Sequence, residues 1–239
     1  MSVRVDYVGR FGNNVFQYVY ARLFAEKNGL ALETPWNYQD VLPIEPSKPG
    51  LSVTEPKVRF DENDRPLEAP RSPGAYVFYG FFQDAGIYYA NRERILAFTR
   101  PHAVEAAPPS ALVCHVRLED YYSYRIVIHP SWYRDILSRE RFDQLYVVAQ
   151  QRDTQYLKAA FGHLKYTLLS GGSLAEDWNY LRRFERVVCS NSTMAWWAVF
   201  LGRATKVYTF ERWIENPSVK LSRFPGATPV PGPFLHEAP

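Results

Sequence analysis

Cysteine is scarce in this sequence, since the 239 residues include only Cys114 and Cys189. A disulfide framework needs more cysteines in a shorter secreted chain, and a structural zinc site needs further Cys or His ligands at close spacing. Each cysteine lies in a short apolar run typical of a strand, ALVCHV and RVVCSN. We therefore predict two buried free thiols that pack as small core side chains.

Long apolar runs and runs of like charge are also missing. No segment approaches the roughly 18 apolar residues of a membrane span. The opening MSVRVDYVGRFGNN lacks the apolar core and cleavage site of a signal peptide. No Lys/Arg run marks a nucleic-acid tail. The expectation is a cytoplasmic protein with no nucleic-acid partner and no transmembrane segment, whose net charge of +3 suits an anionic small molecule.

The composition is that of a folded protein, because 46% of the residues are hydrophobic and 22% are charged. Periodicity predicts a first helix with an amphipathic stripe over 15–24, ended by Asn28-Gly29. Further helices are predicted at 84–98, 131–138, 153–161, 174–184 and 193–201. Strands are predicted at 3–8, 30–33, 75–82, 112–116, 145–149, 166–169, 187–189 and, as the last one, 207–210. Residues 43–73 are predicted as loops, and the Pro-rich tail beyond Asn216 as a surface wrap.

Strands that alternate with helices predict parallel sheets built from right-handed crossovers. The stretch 99–110 has three prolines and little pattern, so it separates a domain at 1–105 from one at 106–239. We expect an α/β protein with two Rossmann-like halves that face each other across a cleft. Ligands bind at the carboxyl ends of strands in such sheets, which makes the turns there the candidate sites.

The first such turn is GRFGNN, residues 9–14. Its glycines allow a ligand to approach the backbone, and the following helix presents free N–H groups to an anion. A purely structural role is equally common for such a turn. The third fingerprint glycine, the Lys-Ser/Thr pair and the acidic ribose ligand are absent, which excludes a Walker A loop and a Rossmann-type oxidoreductase.

Two further turns carry polar side chains at strand ends. In HVRLED, residues 115–120, Arg117 is suited to a two-pronged contact with phosphate. The alternative is a surface ion pair with Asp120. In SNST, residues 190–193, hydroxyl and amide groups precede an apolar helix, which indicates either a helix cap or an anion cradle. Trp196 and Trp197 are predicted to lie in the core. Together the three turns suggest a diphosphate held between an arginine and two helix N-termini.

Five segments, in order along the chain, resemble the α-1,2-fucosyltransferases. GRFGNNVFQY is similar to the family's GxGNQxFQY, GFFQ to GYFQ/GYWQ, and CHVRLEDYY to HxRxGDY. LYVVAQQRDTQYLKAAF is similar to FxFSDDxxWxKxxF, and EDWNYLRRFERVVCSNSTMAWWAVFLG to EDLxLMSxCxxxIxxNSSFSWWAAWL. The sequence departs from these motifs at Asn14 (Gln in the family), Glu119 (Gly) and Arg152 (an acid). These departures leave open another GDP-deoxyhexose donor, or a non-catalytic descendant that binds nucleotide or glycan.

The resemblance implies a GT-B-like fold and inverting transfer of fucose from GDP-fucose, without a required metal or other cofactor. The implied acceptor is a glycan or a lipid-linked oligosaccharide with a galactose-like residue, joined through an α-1,2 linkage. Arg117 would contact the donor diphosphate with support from His115, and Asp153 would lie near the guanine or ribose. The remaining implied donor contacts are Arg10, Gly12, Asn191, Ser192 and Thr193.

The chemistry of transfer suggests further roles. Charge develops on the leaving diphosphate, and preorganised donors such as Arg117 stabilise it. The resemblance further implies that Asn13, a catalytic candidate, faces the cleft. A general base must accept the proton of the acceptor hydroxyl; Asp120 is the first candidate, with Asp6 and Glu119 as alternatives. Three aromatic residues are candidates for stacking on the acceptor sugar, with a core role as an equal alternative: Trp36, Tyr38 and Phe82.

Overall fold

The structure is a computed structural model that describes residues 2–33, 35–45, 57–60, 75–149, 154–214, 216 and 219–237, with the backbone alone at 57–60 and 154. The chain divides into two compact units, Met1–His102 and Ala103–Pro239. This boundary lies inside the stretch 99–110. Every strand pairing in both sheets is parallel. The prediction of an α/β protein with parallel sheets is therefore confirmed.

The first unit has a four-stranded sheet in the order β2-β1-β4-β3. Its elements are β1 (Ser2–Val5), α1 (Phe11–Lys27), β2 (Ala31–Leu32), β3 (Lys57–Phe60), β4 (Ala75–Phe78), α2 (Ala85–Ala90) and α3 (Arg92–Phe98). Strand β3 shows that the prediction of loops throughout 43–73 is wrong. Its Lys-Val-Arg-Phe sequence alternates as a strand should, but the surrounding prolines hide so short a pattern.

Helix α1 confirms the predicted first helix and its end at Asn28, but its predicted amphipathic character is wrong. All its residues from Asn14 to Ala25 are buried, including the polar Gln17 and Arg22. Arg22 is accommodated because its Nε donates to Glu26 Oε1 at 2.6 Å and its Nη1 to the Glu45 carbonyl at 3.0 Å. A helix that is buried on all sides needs such partners for each polar side chain.

Several element boundaries in this unit differ from the predictions, and β1 ends at Val5 rather than at residue 8. Strand β4 ends at Phe78 rather than at residue 82, because Gly80 (φ 133°) and Phe82 (φ 52°) turn the chain. The single helix predicted at 84–98 is two helices that meet at Asn91. The Asn91 side chain donates to the Ile87 carbonyl at 2.7 Å, which satisfies an acceptor at the end of α2.

The second unit has a six-stranded sheet in the order β10-β9-β8-β5-β6-β7. Its elements are β5 (Ala111–Val116), α4 (Asp120–Tyr124), α5 (Pro130–Leu137), β6 (Gln144–Ala149), α6 (Thr154–Phe161), β7 (Thr167–Leu169), α7 (Leu174–Leu181), β8 (Arg186–Cys189), α8 (Thr193–Phe200), β9 (Lys206–Phe210) and β10 (Ala227–Val230), followed by a 3-10 turn at Leu235–Glu237. From β5 the chain adds strands on one side and then returns to add β8, β9 and β10 on the other. The strand order therefore reverses between β5 and β8.

Core predictions for the second unit are confirmed. Cys114 and Cys189 are free and buried, and burial raises the pKa of both thiols. Trp196 and Trp197 are both 0% exposed. The two cysteines sit near the carboxyl ends of β5 and β8, where small side chains let the adjacent strands and α8 pack closely.

The Pro-rich tail is not the surface wrap that the sequence predicts. Residues Ala227 to Val230 form β10, which pairs in register with Val207 to Phe210 of β9. Pro229 is tolerated because β10 is an edge strand, where a missing N–H leaves no ladder partner unsatisfied. The tail then buries Phe234 completely. Among the described residues, no helix has the length and apolar character needed to cross a membrane.

Candidate functional site

The reversal of strand order places one candidate site at the carboxyl ends of β5 and β8. These strands are adjacent, with Cys114 opposite Val188. In open parallel sheets the crevice beyond such a reversal is the usual ligand site. Residues 115–120 include the last two residues of β5 and the turn after it, and residues 190–193 follow β8, so two of the three turns predicted from the sequence meet here.

His115 connects the two strand ends. It is 1% exposed, and its Nδ1 lies 2.7 Å from Ser190 Oγ. Burial and the neighbouring Arg117 cation lower its pKa to about 3. The imidazole is therefore neutral at neutral pH, and it can contribute a hydrogen bond to a bound anion but no positive charge.

Arg117 is a buried cation at the start of the turn after β5. Its side chain is 9% exposed, and Nη2 lies 2.7 Å from Asp120 Oδ1 and 3.6 Å from Glu119 Oε2. The guanidinium carbon is 5.4 Å from the centre of the Tyr121 ring. The ion pair considered as an alternative is thus present, and it is partly buried, since the Asp120 side chain is 27% exposed. Two carboxylates already neutralise the arginine proposed to bind phosphate.

Glu119 holds a backbone conformation that favours glycine. Its φ is 38° and its ψ −115°, at the N-cap of helix α4, and its side chain makes no capping hydrogen bond. A non-glycine residue in such a region costs about 1–3 kcal/mol. Helix α4 itself is absent from the sequence-based prediction, because its five residues, Asp-Tyr-Tyr-Ser-Tyr, carry no apolar periodicity.

The turn after β8 is buried and incompletely hydrogen-bonded. Asn191 is 1% exposed, and its Nδ2 donates to the carbonyls of Ile126 and Trp213, each at 2.9 Å. Its Oδ1 is buried without a hydrogen-bond partner. Ser192 occupies the N-cap of α8, but its side chain makes no capping hydrogen bond, so the helix-cap interpretation is wrong for Ser192. Thr193 begins the helix and is half-buried.

Hydrogen bonds fix the two turns to each other. Tyr121 Oη donates to the Asn191 carbonyl at 2.8 Å, and Asn191 Nδ2 donates in the opposite direction, to the Ile126 carbonyl, at 2.9 Å. The arginine of one turn and the N-terminus of α8 in the other are therefore held in a defined relation. We call the group of Arg117, Asn191, Ser192 and Thr193 the anion site.

Asp177 is a candidate residue that our sequence analysis did not single out. It lies in the first turn of α7, beyond the carboxyl end of β7, and is 6% exposed. Burial and the adjacent Glu176 raise its pKa to about 6. Buried carboxylates with perturbed pKa values cluster at functional sites. The sequence feature that could have identified Asp177 is the Glu176-Asp177 pair, which begins the last of the five segments that resemble the fucosyltransferases. Asp153, predicted near the guanine or ribose, lies outside the described residues.

The first unit holds the third predicted turn. Gly9 has φ 79°, Arg10 is the exposed N-cap of α1, and Gly12 is buried in its first turn. Asn13 Oδ1 accepts from Gln83 Nε2 at 3.0 Å. Asn14, which stands where the family has glutamine, donates to the Val8 carbonyl at 3.0 Å.

Gln17 is a second residue that our sequence analysis did not single out. It is 0% exposed, and its Nε2 donates to the carbonyls of Val8 at 3.1 Å and Gly80 at 2.8 Å. Its Oε1 accepts from the N–H of Val8 and from Asn14 Nδ2, both at 3.2 Å. This amide joins the turn after β1 to the turn after β4. The sequence feature that could have identified Gln17 is its position as a polar side chain within an otherwise apolar stretch of helix.

The three acceptor candidates separate into two groups. Trp36 and Tyr38 are half-buried, and their rings lie 6.5 and 5.1 Å from that of Phe11. Tyr38 Oη also donates to Asn14 Oδ1 at 3.2 Å. Phe82 is 0% exposed and stacks on Tyr20 at 4.6 Å. Phe82 is therefore a core residue, whereas Trp36 and Tyr38 border the first turn.

Among the described residues, no group of three or more His, Cys, Asp or Glu side chains is placed to hold a metal ion. Comparison with models of known protein families gives no match, and comparison with curated proteins gives none either. The resemblance to fucosyltransferases therefore depends on the motifs alone.

Proposed function

We propose that the protein is an inverting GT-B-type glycosyltransferase that moves fucose from GDP-fucose to a hydroxyl of a glycan acceptor. The proposed acceptor is a galactose-like residue of a glycan or lipid-linked oligosaccharide, joined by an α-1,2 linkage without a metal. The observation that carries this proposal is the anion site, which lies where the strand order of the second sheet reverses. The five motif segments supply the identity of the donor.

The anion site has the parts that a leaving diphosphate needs. Cleavage of a glycosyl phosphate bond develops charge on the diphosphate, and fixed donors in a buried site stabilise that charge without reorganisation. Arg117 supplies the cation, and the first N–H groups of α8 supply donors aligned with the helix dipole. His115, which is neutral, is proposed to orient Ser190 and the end of β5. The orphaned Asn191 Oδ1 is proposed to accept a hydrogen bond from the ligand.

Asp177 is proposed to recognise the guanine. The Watson–Crick edge of guanine presents adjacent N–H donors, and a carboxylate offers two acceptors at matching spacing. UDP and ADP do not present this pair of donors. Asp120 is the proposed general base, with Asp6 and Glu119 as alternatives, although Oδ1 of Asp120 already accepts from Arg117.

The test is calorimetric titration with GDP, GDP-fucose, UDP and ADP, without metal. We expect selective binding of the guanine ligands, and a loss of about 10- to 100-fold in Arg117→Lys, since the two-pronged contact is worth about 1.5–3 kcal/mol. Arg117→Ala should lose more, because it leaves two carboxylates facing the ligand. Arg183→Ala is the matched control, since Arg183 pairs with Glu105 at the opposite edge of the sheet. Equal or absent binding of all four nucleotides would contradict the guanine donor.

Specific observations favour testing two alternatives, another donor sugar and a non-catalytic binding protein. The glutamate at position 119 stands beside the proposed sugar and phosphate contacts, which favours a test of other GDP-deoxyhexoses. The neutralisation of Arg117 by two carboxylates favours a test for a non-catalytic descendant. A transferase should hydrolyse GDP-fucose slowly in the absence of acceptor, whereas a binding protein should bind GDP without any turnover.

A further inference from the structure

We propose that Glu119 is a specificity-determining residue, whose carboxylate makes the anion site prefer a nucleotide-sugar over the free nucleoside diphosphate. The inference rests on the proposed function, because it concerns the same site. It assigns Glu119 a role in releasing the product, distinct from proton transfer.

The geometry places this carboxylate against the cation that a diphosphate would use. Glu119 Oε2 is 3.6 Å from Arg117 Nη2, while Asp120 Oδ1 is 2.7 Å from the same atom. One guanidinium therefore faces two carboxylates, and the local charge before any ligand binds is negative. The Glu119 side chain is 27% exposed and that of Arg117 is 9% exposed, so solvent screens the contact only in part.

The backbone holds the carboxylate in this position. Glu119 begins α4 at φ 38°, and the helix that follows is anchored by Tyr121 to the turn after β8. Leu118 before it is 2% exposed and Asp120 after it accepts from Arg117, so the backbone on both sides holds Glu119 close to Arg117. A strained residue that persists in an ordered turn motivates a functional hypothesis.

The charge of the two ligands differs by about one unit. The diphosphate of a nucleotide-sugar has only singly ionised phosphates, with a charge of about −2, whereas free GDP reaches about −3 when its terminal phosphate ionises with a pKa of about 6. Each ligand charge would be repelled by Glu119, and the repulsion would act most on the phosphate that Arg117 binds. Glu119 therefore weakens binding of both ligands, but it weakens binding of the product more.

The experiment compares Glu119→Gln with wild type by titration with GDP, GDP-fucose and pyrophosphate at about pH 8, where the terminal phosphate is ionised. Glutamine keeps the size of the side chain and removes its charge. We expect about tenfold tighter binding of GDP and about threefold tighter binding of GDP-fucose. Glu119→Ala provides a second variant without the charge. Glu105→Gln is the control, because Glu105 also pairs with an arginine but is 91% exposed at the opposite edge of the sheet.

The outcomes separate the inference from the proposed function. Equal tightening of GDP and GDP-fucose, or no change in either, overturns the inference while selective guanine binding stands. Tighter pyrophosphate binding in Glu119→Gln, without any selectivity for guanine, supports the role of Glu119 and contradicts the GDP-fucose donor. Failure of all three probes to bind wild type and both variants overturns both.

Discussion

At the scale of single residues, the second unit places acids where a simple phosphate site would have only cations. Glu119 and Asp120 both face Arg117, and Asp177 is buried at the same edge of the sheet. These carboxylates reduce affinity for an anion, but our proposals give each of them a role: Glu119 would repel the product, Asp120 would accept a proton, and Asp177 would recognise the base. In these proposals, the three carboxylates make the site bind anions less tightly but discriminate better between them.

Asp177→Asn should stabilise the protein and weaken guanine binding. Folding raises the pKa of Asp177 from 3.8 to about 6, so the folded protein binds this proton more tightly than the unfolded chain does. The folded protein therefore loses stability as the pH rises from about 4 to about 6. We expect a gain of about 1–2 kcal/mol in the free energy of unfolding at neutral pH. The gain should disappear as the pH falls towards 4.

Chemical denaturation at several pH values measures the first effect of Asp177→Asn, and GDP titration measures the second. We expect about tenfold weaker binding of GDP in the variant, since an amide offers one acceptor in place of two. Asp135, an exposed aspartate on α5, provides the control variant Asp135→Asn. A stabilised variant with unchanged GDP affinity would assign Asp177 a purely structural position.

At the scale of elements, the amino end of the second sheet is held together by one carboxylate. Glu140 follows α5 and is 9% exposed. It accepts from Arg186 at the start of β8 at 2.5 Å, from Lys206 at the start of β9 at 2.9 Å, and from Tyr208 Oη at 2.5 Å. The amino end of the sheet lies opposite the anion site, so the charges of this cluster stabilise the sheet and do not contact the proposed ligand.

Glu140→Gln should destabilise the protein with a pH dependence opposite to that of Asp177→Asn. Although burial opposes ionisation, hydrogen bonds from Lys206, Tyr208 and Arg186 lower the pKa of Glu140 to about 2. The stabilisation is therefore complete above the unfolded pKa of about 4.5 and lost as the pH falls towards 2. We expect a loss of about 1.5–3 kcal/mol at neutral pH.

Thermal and urea unfolding across this pH range measure the effect of Glu140→Gln. Glu211→Gln is the matched control, because Glu211 also pairs with an arginine, Arg223, but in an exposed position. The control should change the free energy of unfolding by less than about 1 kcal/mol. A constant loss at all pH values would show that packing, and not charge, explains the role of Glu140.

At the scale of the whole molecule, hydrogen exchange can locate the donor. The two compact units each have a parallel sheet, and each contains a turn that the sequence analysis predicts to bind an anion. We expect GDP to slow exchange most at 117–124 and 190–197, since the proposed diphosphate contacts lie there. The variant Arg117→Ala at the same GDP concentration should show little protection. Protection confined to residues 9–14 would move the donor to the first unit.

Local patterns predicted most of the regular elements, because periodicity records which face of a segment is buried. They failed where the pattern was short or broken: β3 among prolines, α4 with its three tyrosines, and β10 in the tail. They also failed to predict that α1 is buried on all sides, because a polar glutamine is expected to be exposed when its hydrogen-bond partners are unknown. Those partners, at Gly80 and Val8, lie in other parts of the chain.

The sequence by itself determined the α/β class, the alternation of elements, the buried cysteines and the three turns with candidate binding groups. These features depend on residues that are neighbours in the chain, whose spacing expresses period, turn chemistry and capping potential. Tertiary structure alone decided that β5 lies beside β8, that Arg117 is neutralised by two partly exposed acids, and that Phe82 belongs to the core. Each of these depends on strand order or on a backbone angle, and both are set by packing between residues far apart in the chain.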